Sequence, residues 1–181
     1  MKKNSNVLIL VTLAMFVALG VVISPILRFE GFAPTAHFVN VVSSVFLGPW
    51  YSLLNGTLTA IIRMTVMGIP PLAFTGQVFG AVLSGVLYRK TNGKILWAVI
   101  GEVVGTGIIG SIVSYPVMRL LMGKTGLTIF FYTPSFLIAT LIGGSIAFIF
   151  LKTLQRNGTL YKIQKKLGVN IYERSKRNFS N

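Results

Sequence analysis

Charged residues are confined to a few short places along this chain. None falls in 4–27, 31–62, 64–88 or 125–151, and 95–118 is interrupted only by Glu102. Between these runs stand polar or helix-breaking links. Roughly 20 consecutive apolar residues make one helix that crosses a bilayer. The pattern therefore predicts an all-α integral membrane protein, a bundle of six transmembrane helices.

The breakers set the helix limits. The first helix is expected over 7–27, with Pro25 in its last turn. A link over 28–35 follows. The run 31–62 is too long for one span, and Gly48-Pro49 divides it, because proline has no N–H to donate and glycine is permissive. That gives helices over 36–47 and 50–67. Gly68-Ile69-Pro70-Pro71 ends the third. Helices over 72–88, 95–121 (with a bend at Pro116) and 133–154 complete the set. The domain organisation expected is a six-helix transmembrane unit over 1–155 and a basic tail over 156–181.

Charge then orients the bundle. The chain has 17 Lys and Arg against three acidic residues, for a net charge of +14. In a soluble protein this would suggest nucleic acid. Here the cations flank apolar runs, where they face anionic lipid, so no nucleic-acid partner is expected. All of them except Arg28, Arg63, Arg119 and Lys124 fall on the side that holds the N-terminus. The excess predicts both termini in the cytoplasm. The cell (plasma) membrane is the expected location. Leu160–Leu167 alternates apolar residues with lysines at helical spacing, which fits a helix on the inner leaflet or a solvated tail equally well.

Several chemistries are excluded. There is no Cys, one His and no Asp, so a thiolate site or a metal cluster is not expected, and no cofactor is. Gly105–Gly110 spells GxGxxG, but inside a membrane helix it lacks the strand that a nucleotide fingerprint requires. The chain has no Walker A sequence, so any ATP use belongs to another chain. No GxSxG motif accompanies His37. An enzyme is not expected.

Small residues recur at one-turn spacing. Gly76, Gly80 and Ser84 form one stripe, Gly101 and Gly105 another, and Ala139, Gly143 and Ala147 a third. Such stripes let helix backbones approach where lipid supplies no hydrophobic drive. Ala14 and Ala18 share a face of the first helix, which serves packing or a second protein.

The intramembrane polar residues are the candidate site. Glu102 lies about two turns into the fifth helix, where a lone carboxylate must be paired or put to use. Thr106 is one turn further on. His37 and Asn40 share a face at the outer start of the second helix. Gln77 and Tyr115 lie at similar outer depth, with Tyr132, and Arg63 either joins them or snorkels to headgroups. Together they suggest an outward-facing cavity with apolar walls and a few convergent polar groups. Phe29, Phe32, Phe38 and Phe74 offer stacking surface, and the link 28–35 a lid.

The segments Pro34-Thr35-Ala36-His37-Phe38-Val39-Asn40, Val45–Tyr51, Leu58–Arg63 and Gly101–Gly110 resemble the ThiW family of substrate-binding (S) components of energy-coupling factor vitamin transporters. The resemblance covers about 7–155. It implies a six-helix bundle that captures substrate outside the cell, with a transmembrane coupling protein and two cytosolic ATPases as partners. It implies docking through the AxxxA pattern Ala14-Met15-Phe16-Val17-Ala18, and hydroxyethylthiazole, the thiazole part of thiamin, as substrate. The ligand contacts expected from the residues themselves are His37, Asn40, Arg63, Gln77, Glu102, Thr106 and Tyr115. A proton-coupled secondary carrier for a small heterocyclic precursor is the competing expectation, with Glu102 as its proton site.

Glu102→Ala is expected to weaken substrate binding tenfold or more, a loss of about 1.4 kcal/mol. Equilibrium binding to the folded variant checks this, and wild-type affinity would remove Glu102 from the site.

Overall fold

A computed structural model describes residues 2–26 and 32–169 of the chain. Every regular element among them is helical: α1 Lys2–Ile23, α2 Pro34–Leu47, α3 Pro49–Met67, α4 Leu72–Lys90, α5 Ile95–Glu102, a π-helical segment Val103–Gly110, α6 Ser111–Met122, α7 Thr133–Arg156 and α8 Thr159–Lys166. Three helical stretches are long and apolar enough to cross a membrane: Asn6–Ile23, the continuous rod Ile95–Met122, and Thr133–Arg156. The protein is a membrane protein with an all-helical fold.

Helix α2 is the centre of the bundle, buried along nearly its whole length. At 14 residues it is about 21 Å long, short of the roughly 30 Å hydrocarbon core. Its neighbours α3 and α4 bury many polar residues, among them Asn55, Thr59, Arg63, Gln77 and Ser84. Exposed apolar surface falls mainly to α1, α3, α7 and the Ile95–Met122 rod, which expose Val7, Leu10, Met15, Val22, Trp50, Val66, Leu120, Ile146 and Ile149.

The elbow between α2 and α3 forms at Gly48, whose φ of 82° suits glycine. Pro49 then starts α3, where a missing N–H matters least. The first helix ends at Ile23 rather than at 27. Pro25 cannot donate back into the helix, and the Ser24 hydroxyl turns onto the Gly20 carbonyl. The irregularity in the fifth predicted helix is the π segment, while Pro116 sits inside α6. Wide turns fit at this place because Gly105 and Gly110 put no side chain toward α4.

The small-residue stripes of α4 and the rod face each other. A methyl on Gly101 would stand 2.6 Å from Ser84 Cα, and one on Gly105 would stand 2.7 Å from Gly80 Cα. The α7 stripe meets α2 instead, with Gly143 against Pro34 and Phe38. These contacts bring the backbones of α2, α4, α7 and the π segment together.

At the other end α8 folds back onto the bundle. Leu160 and Leu167 are buried in the same apolar cluster as Val41, Val45 and Leu47 of α2. The residues beyond 169, with Glu173, lie outside the described residues.

Gly101→Ala is expected to cost about 1–3 kcal/mol, because its methyl meets backbone and not a side chain that can swing away. Thermal unfolding of the purified variant reads this, and an unchanged Tm would contradict the packing.

Candidate functional site

Polar residues of α2 and the π segment converge on one carboxylate at the end of α5. Glu102 is the last residue of α5 and is fully buried. Its Oε1 lies 2.9 Å from His37 Nδ1, 3.1 Å from Asn40 Nδ2 and 3.1 Å from Thr106 Oγ1. Three donors from two elements, α2 and the π segment, thus surround one oxygen. Asn40 gives its second N–H to the Gln77 carbonyl at 3.1 Å, so its amide nitrogen is fully used. Thr106 Oγ1 also approaches the Gly76 carbonyl at 3.1 Å. Glu102 Oε2 has no hydrogen-bond partner among the described residues and lies against Gly80.

This arrangement fixes the histidine. In the tautomer in which Oε1 accepts from His37 as it does from Asn40 and Thr106, Nδ1 carries the proton. The ring's other nitrogen, Nε2, is then the one left for a ligand. Gln77 is held in a similar way. Its side-chain nitrogen donates to the Gly56 carbonyl at 3.0 Å, and its oxygen accepts from Arg63 Nη1 at 2.9 Å.

Above this cluster opens a cavity of about 430 Å³. His37, Gln77 and Arg63 contribute its polar side. Leu72, Met118 and Phe136 contribute apolar wall, and Phe32 and Lys124 also line it. The size falls within the roughly 300–1,000 Å³ usual for small-molecule sites, and the lining has the usual character, mostly apolar with a few placed polar groups.

A family model described as thiamine-precursor transporter protein (ThiW) matches residues 10–157. The chain belongs to the ThiW family. Comparisons with curated proteins and with solved structures gave no match. Membership makes this a transporter and not an enzyme, working on a small molecule in a membrane.

The structure brings most of the predicted ThiW site residues together. His37, Arg63 and Gln77 line the cavity, while Asn40, Glu102 and Thr106 stand behind them, outside the lining. Tyr115 is placed elsewhere. It does not line the cavity, and its hydroxyl accepts from Arg119 one turn along α6 at 3.0 Å. The residues of that helix that do reach the cavity are Met118, on its buried face, and Met122 at its end. Tyr132 is buried in a cluster with Leu72, Met118 and Phe136. Of the aromatic residues singled out, Phe32 lines the cavity, Phe38 packs edge-on to Phe150, Phe74 is partly exposed, and Phe29 lies outside the described residues. Residues 28–31 of the predicted lid share that position; of the rest, Phe32 and Ala33 are in the lining, Pro34 starts α2, and the Thr35 hydroxyl donates to the Ile23 carbonyl at 2.9 Å.

Sequence reasoning passed over the layer beneath. Ser43 and Ser52 hydroxyls meet at 3.1 Å, Asn55 Nδ2 donates to Ser43 Oγ at 3.3 Å, and Ser43 Oγ donates to the Asn40 carbonyl at 3.0 Å. The signal was available as one-turn spacing: Asn40 with Ser43, and Ser52 with Asn55.

Asn40→Ala is expected to destabilise the fold more than Thr106→Val. The first leaves both Glu102 Oε1 and the Gln77 carbonyl short of a donor, a cost of about 1–3 kcal/mol each when buried. The second removes one shared proton, near 1 kcal/mol. Equal unfolding midpoints for the two variants would contradict the geometry.

Proposed function

We propose that this ThiW chain is the substrate-capture (S) component of an energy-coupling factor importer, and that it binds hydroxyethylthiazole in the outer cavity. The observation that carries the reading is the floor of that cavity, a histidine whose orientation is fixed by a buried carboxylate. With Nδ1–H held by Glu102, a neutral His37 turns the lone pair of Nε2 to the ligand, where it accepts from a hydroxyl. Gln77 and Arg63 supply further hydrogen bonds to the ring nitrogen. Met118, Phe136 and Phe32 pack on the faces of the heterocycle, as polarizable and aromatic side chains do. An uncharged ligand asks for no counter-ion, which suits a lining without a carboxylate among the described residues.

In this reading Asn40, Glu102 and Thr106 act through His37 and Gln77 and do not touch the ligand. The bundle crosses the plasma membrane of a bacterium six times with both termini inside, and 1–155 forms the binding unit. Ala14 and Ala18 are exposed on α1. Their small side chains let a helix of a transmembrane coupling protein approach closely. Two cytosolic ATPases, as separate chains, supply the energy.

The test is equilibrium binding of hydroxyethylthiazole to the purified chain alone, with thiamin as competitor. Saturable binding that thiamin does not displace supports thiazole capture. No binding by folded protein overturns the substrate, and uptake into liposomes driven by a pH gradient without any ATPase would favour the secondary carrier. A second expectation concerns the hydroxyl. Wild type should prefer hydroxyethylthiazole over 5-ethyl-4-methylthiazole about tenfold, the worth of one hydrogen bond. Glu102→Ala and His37→Ala should each erase that preference while still binding the ethyl analogue. Equal weakening of both ligands would mean that Glu102 only supports the fold.

A further inference from the structure

Helix α8 lies beyond residue 157, where the family match ends, yet it is built into the bundle. Leu160 and Leu167 are buried, and Gln164 is 1% exposed. The Gln164 amide nitrogen donates to the Val45 carbonyl at 2.8 Å and to the Tyr88 hydroxyl at 3.1 Å. The first of these bonds has a backbone cause. In a continuous helix the Val45 carbonyl would accept from the N–H four residues on, but that residue is Pro49, which has none. Gln164 replaces the missing donor and ties α8 to the α2–α3 elbow and to the end of α4.

That fixed inner face leaves a fixed outer face. Lys162, Lys165 and Lys166 are exposed along α8, and Lys165 lies over the Tyr161 ring at 5.9 Å. Tyr88 touches α8 directly, so the turn after it, with exposed Arg89, Lys90 and Lys94, lies at the same end. No acidic residue falls at this end among the described residues. The level in the membrane is set as well. The apolar stretch Thr133–Arg156 ends two residues before α8 begins, which puts α8 at the boundary between hydrocarbon and water.

We propose that this face is a binding surface for anionic phospholipid headgroups, with α8 held flat at the membrane surface by Gln164, Leu160 and Leu167. Bilayer-facing lysines gain attraction from anionic lipid that falls off within a Debye length. Because α8 is already folded against the protein, little ordering entropy opposes the contact. Lipid binding would then reinforce the α2–α3 elbow through the bond to Val45.

The full chain in nanodiscs tests this. Thermal unfolding is compared in phosphatidylcholine alone and with phosphatidylglycerol added, at low and high salt. The expected result is a higher Tm with phosphatidylglycerol, shrinking as salt rises. The triple variant Lys162→Gln, Lys165→Gln, Lys166→Gln should keep its Tm in phosphatidylcholine and lose most of the gain. A triple variant with the full gain, or a wild type with none, overturns the proposal. Stabilisation by an oligoglutamate peptide in phosphatidylcholine, with no gain from phosphatidylglycerol, would assign the face to an acidic protein segment and overturn it too.

Discussion

One buried carboxylate organises the half of this molecule that holds the cavity. An unsatisfied carboxylate inside a membrane protein is costly, and the chain meets that cost by bringing three donors to Glu102 Oε1. Those donors stand on α2 and in the π segment, while α4 comes in through the Gln77 carbonyl and through Gly80. The carboxylate therefore holds the helices that form the cavity, and its position in depth sets the depth of the floor. The bonds from His37 and Asn40, one turn apart, fix which face of α2 points at α5.

Small residues make that arrangement possible. Gly80 allows α4 to lie directly against Glu102 and Thr106, and Gly105 lets the π segment approach α4 in return. A π segment at this place has a clear local effect. It widens the helix just after Glu102 and carries Thr106 back toward the same carboxylate, as π turns at functional sites do elsewhere. Beyond it the rod continues as α6 and brings Met118 and Met122 to the cavity. The walls and the floor are thus parts of one packed unit.

Much of this was legible in the sequence, for physical reasons that differ from place to place. Helices appear as uncharged runs because the bilayer excludes charge, and Gly48-Pro49 marks the elbow because neither residue continues a helix easily. His37, Asn40, Gln77, Glu102 and Thr106 stood out because polar groups are rare in such runs. What was not legible depends on the rotation of one helix relative to another. Tyr115 and Met118 are three residues apart, and only packing decides which of them reaches the cavity. The π segment gives no signal in a stretch of Val, Ile and Gly that reads as ordinary helix. The burial of α8 was hidden because its lysines dominate the pattern, while Gln164 earns its place through a carbonyl orphaned by Pro49 more than a hundred residues away in sequence.

His37 is the chain's single histidine, so selective ¹⁵N-histidine labelling gives one unambiguous pair of ring-nitrogen resonances. The decisive measurement is their response to hydroxyethylthiazole. Before addition, Nδ1 should carry the proton and Nε2 should be of the unprotonated, pyridine-like type. Saturating ligand should move the Nε2 resonance and leave Nδ1 protonated, as expected for a nitrogen that accepts from the ligand while Glu102 holds the other. Resonances unchanged at saturation, or a proton found on Nε2 instead of Nδ1, would contradict the account.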